Sequence, residues 1–487
     1  MKNNKTIINI FLSVIIILLI STSCDDKLDL VPISQYTVKY ETESDINGLV
    51  NGVYANLQDL YSYDKIPFCQ EGRSDNVKTT DDNSYDATLM GKFTDDENTG
   101  AVASIWKESW KIINTCNDII ANIDNITFSD SNALNYKKGE ALFLRGYAYF
   151  QLGWMYGGVP LIDKTLTSEE LLQLSRSTQD ETLAFAVTDL ISAANLLPDT
   201  WVGSDLGRAT KYAAKGILAR LYMFQNNTTA AKPLLKEIID SKNYKMAETY
   251  VDCFLDSKDN SPEHVFQIQF ASGDCGEGNV LPVVCAPEAI DDVLFPSGGG
   301  SPYLRVSDDL YDSYEPGDIR RDINIRKGYI DKSGTVDGIT CFYIKYNHGA
   351  IPSTKDDYEV NLPVLRYTDV KLMYAECLGN TSDALDIINE VRTRAGLIDY
   401  TSSDIPDDET FTDKLFQERR LEFAGEWMRW FDLVRTGEAQ SVINTFLLRT
   451  ENGSGKYSMD ATQNIFAIPH YEFTIIPDLT QNPGYSK

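Results

Sequence analysis

The chain has 487 residues, with 44 Lys plus Arg against 72 Asp plus Glu and a formal net charge of −28. Phosphate backbones would repel so acidic a surface, which argues against a nucleic-acid partner. The length suffices for a large core and more than one lobe, and 27 Tyr with 6 Trp suit contact with sugars or peptides as well as an aromatic-rich core.

Lys2 and Lys5 precede an almost wholly apolar run from Ile7 to Ile20. The run is short for a membrane span and right for a signal-peptide core. Ser21, Thr22 and Ser23 lead to Cys24, so residues 1–23 read as a signal peptide and Cys24 as a lipidation site. The commonest lipoprotein box has Leu where Ser21 stands, and a plain secretory signal cut near Ser23 is the alternative. Two or more acyl chains would anchor the protein stably. Residues 24–40 read as a solvated tether.

A first helix is expected over 43–62, with Tyr54, Tyr61 and Tyr63 near its end. Residues 64–100 are loop-rich and hold Glu71-Gly-Arg-Ser-Asp-Asn76. Helices follow at Ile105 to Ile123, at Asn132 to Tyr156 (stopped by Gly157-Gly158 and Pro160), and at Thr178 to Leu197. The last opens with a capping box of Thr178 and Glu181. Two helix-turn-helix segments then repeat a pattern. Asn227-Thr228-Thr229-x-Ala231 precedes Leu234, Leu235 and Ile238, and Asn380-Thr381-Ser382-x-Ala384 precedes Ile387, Ile388 and Val391. Short Asn turns with Ala at the close contact are how tetratricopeptide-like hairpins stack. Between the pairs, residues 255–362 carry most of the Gly/Pro clusters, with β-like runs at 265–270 and 341–346. Loops on a rigid scaffold are where binding residues usually sit.

The stretch Gln417 to Gly437 reads as one amphipathic helix. Phe416, Phe423, Trp427, Trp430, Phe431 and Val434 form its apolar stripe, while Glu418, Gly425 and Asp432 lie opposite. Arg420 falls inside the stripe and needs a buried carboxylate, with Glu376 and Glu422 as candidates. Gly437 ends the helix, with Arg435 in its last turn.

Little in the sequence suggests bond-breaking chemistry. The three His are far apart, which argues against a zinc site or a Ser–His–Asp triad. There is no G-x-S-x-G and no Walker loop, and Gly273, Gly276 and Gly278 miss the dinucleotide spacing. With 72 acids, a carboxylate pair for glycoside hydrolysis proves nothing. Asp81, Asp82, Asn83 and Asp86 fail the EF-hand pattern at Tyr85. No cofactor and no metal are expected. Beyond Cys24 there are seven cysteines without C-x-x-C spacing, so at least one thiol is free. Cys116 and Cys377 read as small core residues. Cys275 and Cys285 flank a loop in which a disulfide remains open.

Glu418, Arg419, Glu422, Phe423, Gly425, Glu426, Arg429, Trp430, Asp432, Leu433 and Arg435 resemble the C-terminal signature of the SusD/RagB family of outer-membrane nutrient-binding lipoproteins. Glu140 to Phe150 with Tyr156-Gly-Gly-Val-Pro160, Leu365 to Glu376 with Ile388 to Leu397, and Ile468-Pro469 with Gln481 to Tyr485 are similar to three further family segments. The resemblance implies a mostly α fold: a tetratricopeptide-like helical scaffold with a loop-rich ligand-binding face and a few short strands. That domain would span 41–487, with insertions at about 64–100 and 255–362. Asp25 and Asp26 after the lipidated Cys resemble the family's signal for surface export.

The implied function is capture of an oligosaccharide and its delivery to a SusC-like TonB-dependent transporter, over which the protein sits as a lid. An oligopeptide cargo is the alternative. A surface glycoside hydrolase and a purely structural transporter subunit are the readings outside that role. Candidate ligand contacts are Tyr61, Tyr63 and Tyr85 with Arg73, Asp75 and Asn76 from the first insertion. Phe295, Tyr303, Tyr311, Tyr329 and Tyr343 come from the second. For each aromatic the plainer alternative is a core position.

Overall fold

The structure is a computed structural model, described here for residues 40–486 apart from 63, 80–85, 296–298, 300–304 and 451–452. The expected signal peptide, the tether up to residue 39 and Cys24 lie outside the described residues, as do Tyr63, Tyr85, Tyr303 and Asp81 to Asn83. The chain divides into two units, Met1–Glu41 and Thr42–Lys487. The second unit holds every described helix and strand.

Helix α1 (Glu43–Leu60) starts at a capping box of Thr42 and Asp45, and buries Ile46, Val50, Val53, Leu57 and Leu60. That three-and-four spacing is one face of a helix, and each such side chain contributes about 1.5–3 kcal/mol when fully buried. The first insertion is less irregular than expected, because it contains helix α2 (Ile66–Gly72) and strand β1 (Val77–Lys78). Helix α3 (Gly100–Asn122) packs against α1 and against α4 (Ser131–Tyr156). Helix α5 (Gln179–Leu196) has the Thr178–Glu181 capping box read from the sequence. It lies on the α4 face that carries Gly139, Gly146 and Gly153. A Cβ at these sites would stand 2.8–3.0 Å from side chains of Leu196, Leu197, Asp189 and Leu183. Glycine at every seventh position is what allows that approach.

The two helix pairs form as expected. Helix α6 (Lys211–Phe224) turns through the N-cap Asn227 into α7 (Thr228–Ser241), which buries Ala231, Leu235 and Ile238. After β2 (His264–Ile268), β3 (Arg305–Val306) and the short helix α8 (Asp308–Asp312) come β4 (Ile325–Ile330), β5 (Val336–Tyr343) and β6 (Leu362–Arg366). The second pair then follows, α9 (Tyr367–Leu378) and α10 (Ser382–Arg394), with Ala384, Ile388 and Val391 buried at the matching positions. Helix α7 also packs on α9, so the pairs stack. Strands β2 and β6 make one antiparallel sheet, and the other runs in the order β1-β3-β5-β4.

The signature stretch is not one helix. It is α11 (Asp408–Glu422) followed by α12 (Arg429–Thr436). Gly425 and Trp427 break it with φ of +75° and +62°. The break is stabilised from afar. The buried Lys345 ammonium donates to the Glu422 and Ala424 carbonyls at 3.2 and 2.8 Å, and Tyr346 donates to the Gly425 carbonyl at 3.1 Å. These are carbonyls that a helix end leaves unsatisfied. Phe423, Trp427, Trp430 and Phe431 are buried as the stripe predicts. Glu418 and Asp432, placed opposite, are buried as well.

Each charge of the signature is paired. Glu422 accepts from Arg366 at 2.9 Å and from Arg394 at 2.5 Å, with Arg320 at 3.3 Å. Glu426 binds Arg366 and Lys345, and Asp432 binds Arg419 and Arg435. Glu376 pairs with Arg435 rather than with Arg420.

Candidate ligand-binding face

The two insertions that the sequence singles out meet in one sheet. Strand β1 of the first pairs antiparallel with β3 of the second, Val77 opposite Val306 and Lys78 opposite Arg305. Ser307 extends the junction. Its N–H donates to the Asn76 carbonyl at 2.8 Å and its hydroxyl to the Asp75 carbonyl at 2.9 Å. The same hydroxyl caps α8 by accepting from the Leu310 N–H, which places Tyr311 beside the junction.

Six candidate contacts are buried, which corrects the expectation that they face a ligand. Arg73 donates to Asp95 and to the Gln463 carbonyl, both at 2.5 Å, and its guanidinium lies 4.0 Å from the Phe466 ring centroid. Asp75 accepts from Arg429 at 2.8 and 3.1 Å. Burial pushes the Asp75 carboxyl up, but Arg420 and Arg429 outweigh it and hold it down at about 2. Asn76 donates to Glu71 and accepts from Arg420. The Tyr61 hydroxyl bonds that of Tyr147, and Tyr343 donates to Glu71. Phe295 packs with Ala286, Ile290 and Phe342. Loop position in the sequence does not decide exposure, because these loops carry a core of their own.

Tyr311 and Tyr329 stay half-exposed. The Tyr311 ring has Arg321 and Lys327 at 5.1 and 4.6 Å from its centroid, and Tyr329 leans edge-on against Phe342. Arg420, expected to meet Glu376 or Glu422, instead reaches Asp75, Asn76 and Asp309. Cys275 and Cys285 are free thiols, one exposed and one buried. Cys116 is buried and Cys377 half-buried. Among the described residues, no three His, Cys, Asp or Glu gather to hold a metal ion.

Glu71 sits beneath the junction. Burial pushes its carboxyl up to about 7, against the opposing pull of Tyr343 and Asn76. Its Oε2 has no hydrogen-bond partner among the described residues. A raised folded-state pKa means that the folded chain holds this proton more tightly. Glu71 therefore costs nothing below about pH 4.5, and the penalty grows as pH rises through 7, to roughly 3 kcal/mol. Glu71→Gln is expected to match wild type in urea unfolding at pH 4.5 and to exceed it at pH 8. Equal stability at pH 8 would refute the assignment.

Sequence reading missed two grooves. One, of about 580 Å³, lies among Trp106, Trp110, Leu166, Leu174, Tyr471 and Ile475. The other, of about 420 Å³, includes Asn51, Tyr54, Gln58, Arg208 and Gln269. Trp106 and Trp110 lie on α3, within the helix expected from Ile105 to Ile123. Residues 160–174 and the C-terminal tail complete the first groove, and no local pattern links them to that helix.

Residues 27–223 match a family model described as "Starch-binding associating with outer membrane", and residues 320–485 match the SusD family model. A SusD-like protein of Bacteroides ovatus is 27% identical over 522 residues, covering 94% of this chain and 91% of its own. Surface glycan-binding protein A from Bacteroides fluxus has a TM-score of 0.78 at 24% identity, over 92% of this chain and 100% of its own. The surface glycan-binding protein A from Bacteroides thetaiotaomicron, solved in complex with laminarihexaose, has a TM-score of 0.77 at 24% identity, over 91% and 99%. With these matches at both ends of a stacked-helix scaffold, and a signature whose every charge is paired in its core, the chain belongs to the SusD/RagB family.

Proposed function

We propose that this protein is a lipid-anchored, cell-surface receptor that captures an oligosaccharide and passes it to a SusC-like TonB-dependent outer-membrane transporter, as its lid. The observation that carries the reading is the β1–β3 junction, which joins both insertions, with Tyr311 half-exposed beside it and Tyr329 half-exposed on β4 at the far edge of the same sheet. A tyrosine ring can stack on a sugar's apolar face while neighbouring charges bond its hydroxyls. The starch-binding family description and the laminarihexaose complex of a structural neighbour support a saccharide cargo. The protein breaks no bond; binding favours the closed lid through contacts made only in that state.

Calorimetry of the lipid-free chain (residues 26–487) against oligosaccharides and peptides, with product analysis, tests this. Saturable binding of one glycan class without products is the expected result. Tyr311→Ala and Tyr329→Ala should each weaken it about tenfold. Cleaved products would make the protein a hydrolase, peptide binding would change the cargo, and silence across the panel would point to a structural subunit.

A further inference from the structure

We propose that Arg420 is a positioning residue for the saccharide face, holding the two insertions in register; this rests on the receptor reading above. Arg420 is 7% exposed and projects from α11, in a position that the family signature leaves open. Its Nε donates to the Asn76 side-chain oxygen at 2.9 Å, and its terminal amino group donates to the Asp75 carbonyl at 3.2 Å. Both partners belong to the first insertion. The same terminal group binds the Asp309 carboxylate at 2.9 Å, and the other reaches the Ser313 hydroxyl at 3.5 Å. Those two flank Tyr311 on α8 and belong to the second insertion. One guanidinium thus spans the junction, directly behind the β1–β3 pair.

The residues around it make the assignment specific. Asp75 keeps a two-pronged bond to Arg429 without Arg420, so the first insertion retains its own anchor. Asp309 also binds Arg449 at 2.7 Å. The β1–β3 ladder itself is only two residues long on each strand, too short to fix a loop pair unaided. Ser307, that ladder, the Lys78–Asp308 ion pair and the Tyr343–Glu71 hydrogen bond also tie the insertions together; what Arg420 adds is a rigid planar link between Asn76 and Asp309. A lysine carries the same charge as a single point and cannot reproduce a planar fork with donors in several directions.

The test compares Arg420→Lys with Glu376→Gln in the full chain in detergent. Glu376→Gln breaks the Arg435 pair away from the junction and serves as a control for general destabilisation. Two readouts are taken: affinity for the glycan found by calorimetry, and amide hydrogen exchange of residues 77–78 and 305–313 without ligand. Arg420→Lys is expected to weaken binding at least about tenfold and to speed exchange in both segments. The control should lower the melting temperature and move neither readout. Wild-type affinity and exchange in Arg420→Lys would overturn the proposal, as would an equal loss in the control. If wild type binds no glycan, the receptor reading fails by itself, and the exchange measurement still decides whether Arg420 holds the junction.

Discussion

Glu422→Gln is expected to lose about 3–5 kcal/mol of folding stability, the cost of leaving a buried ion cluster short of one charge. Glu422 is fully buried and faces three guanidinium groups, those of Arg366, Arg394 and Arg320. Burial pushes its carboxyl up, but Arg394, Arg366, Arg320 and Lys345 prevail and hold it far below the usual range. A depressed pKa gives stability that is complete above about pH 4.5 and is lost as pH falls from there through the depressed value. The wild-type cluster should therefore survive mild acid. Glutamine keeps the size and one acceptor and removes the charge, so the three buried arginines repel one another with less compensation. Urea unfolding followed by circular dichroism at pH 7 measures the loss. A change under about 1 kcal/mol would mean that the cluster behaves like a surface pair.

The second large effect belongs to Gly158→Ala. A Cβ there would stand 1.8 Å from the Ser177 carbonyl oxygen, which is backbone and cannot swing aside. The neighbouring chain is held on both sides. Ser177 donates to the Val159 carbonyl, Arg176 to the Gly158 and Tyr156 carbonyls, and Asn482 to the Tyr156 carbonyl. The exit of α4 thus has no direction in which to yield, and the overpacking should cost about 3 kcal/mol. Gly157 makes the internal comparison. It has φ of +77° and ψ of −136°, a conformation that only glycine adopts readily, but no neighbour closer than 3.4 Å, so alanine there pays a backbone cost of about 1–3 kcal/mol and no steric one. Thermal unfolding should rank Gly158→Ala as the more damaging. The reverse order would show that the loop over Gly158 relaxes.

How much of this was legible in the sequence follows from how local each cause is. The capping box at Thr178 and Glu181, the buried face of α1 and the paired hairpins around Asn227 and Thr381 are set by residues within a turn or two of each other. Periodicity and end signals report such causes directly. The aromatic stripe of the signature was also legible, because burial of Trp427, Trp430 and Phe431 depends on hydrophobicity alone. Its break at Gly425 was not. The lysine that satisfies the freed carbonyls is Lys345, 77 and 79 positions away from Glu422 and Ala424.

The candidate ligand face shows the same division. Its two insertions were visible as Gly/Pro-rich stretches, and the family was visible in the spacing of charged and aromatic residues. Which side chains of the insertions reach solvent was not visible, since Arg73, Asp75 and Tyr343 fall in those insertions and are buried in contact with Asp95, Arg429 and Glu71. By itself, the sequence determined most helical elements, the scaffold class and the two stretches proposed to build a binding face. Only the tertiary structure decided that Arg420 meets Asn76, 344 residues distant, and that β1 and β3 join the insertions. Buried charges choose partners by proximity in the packed core, and that proximity is a property of the whole chain rather than of any segment.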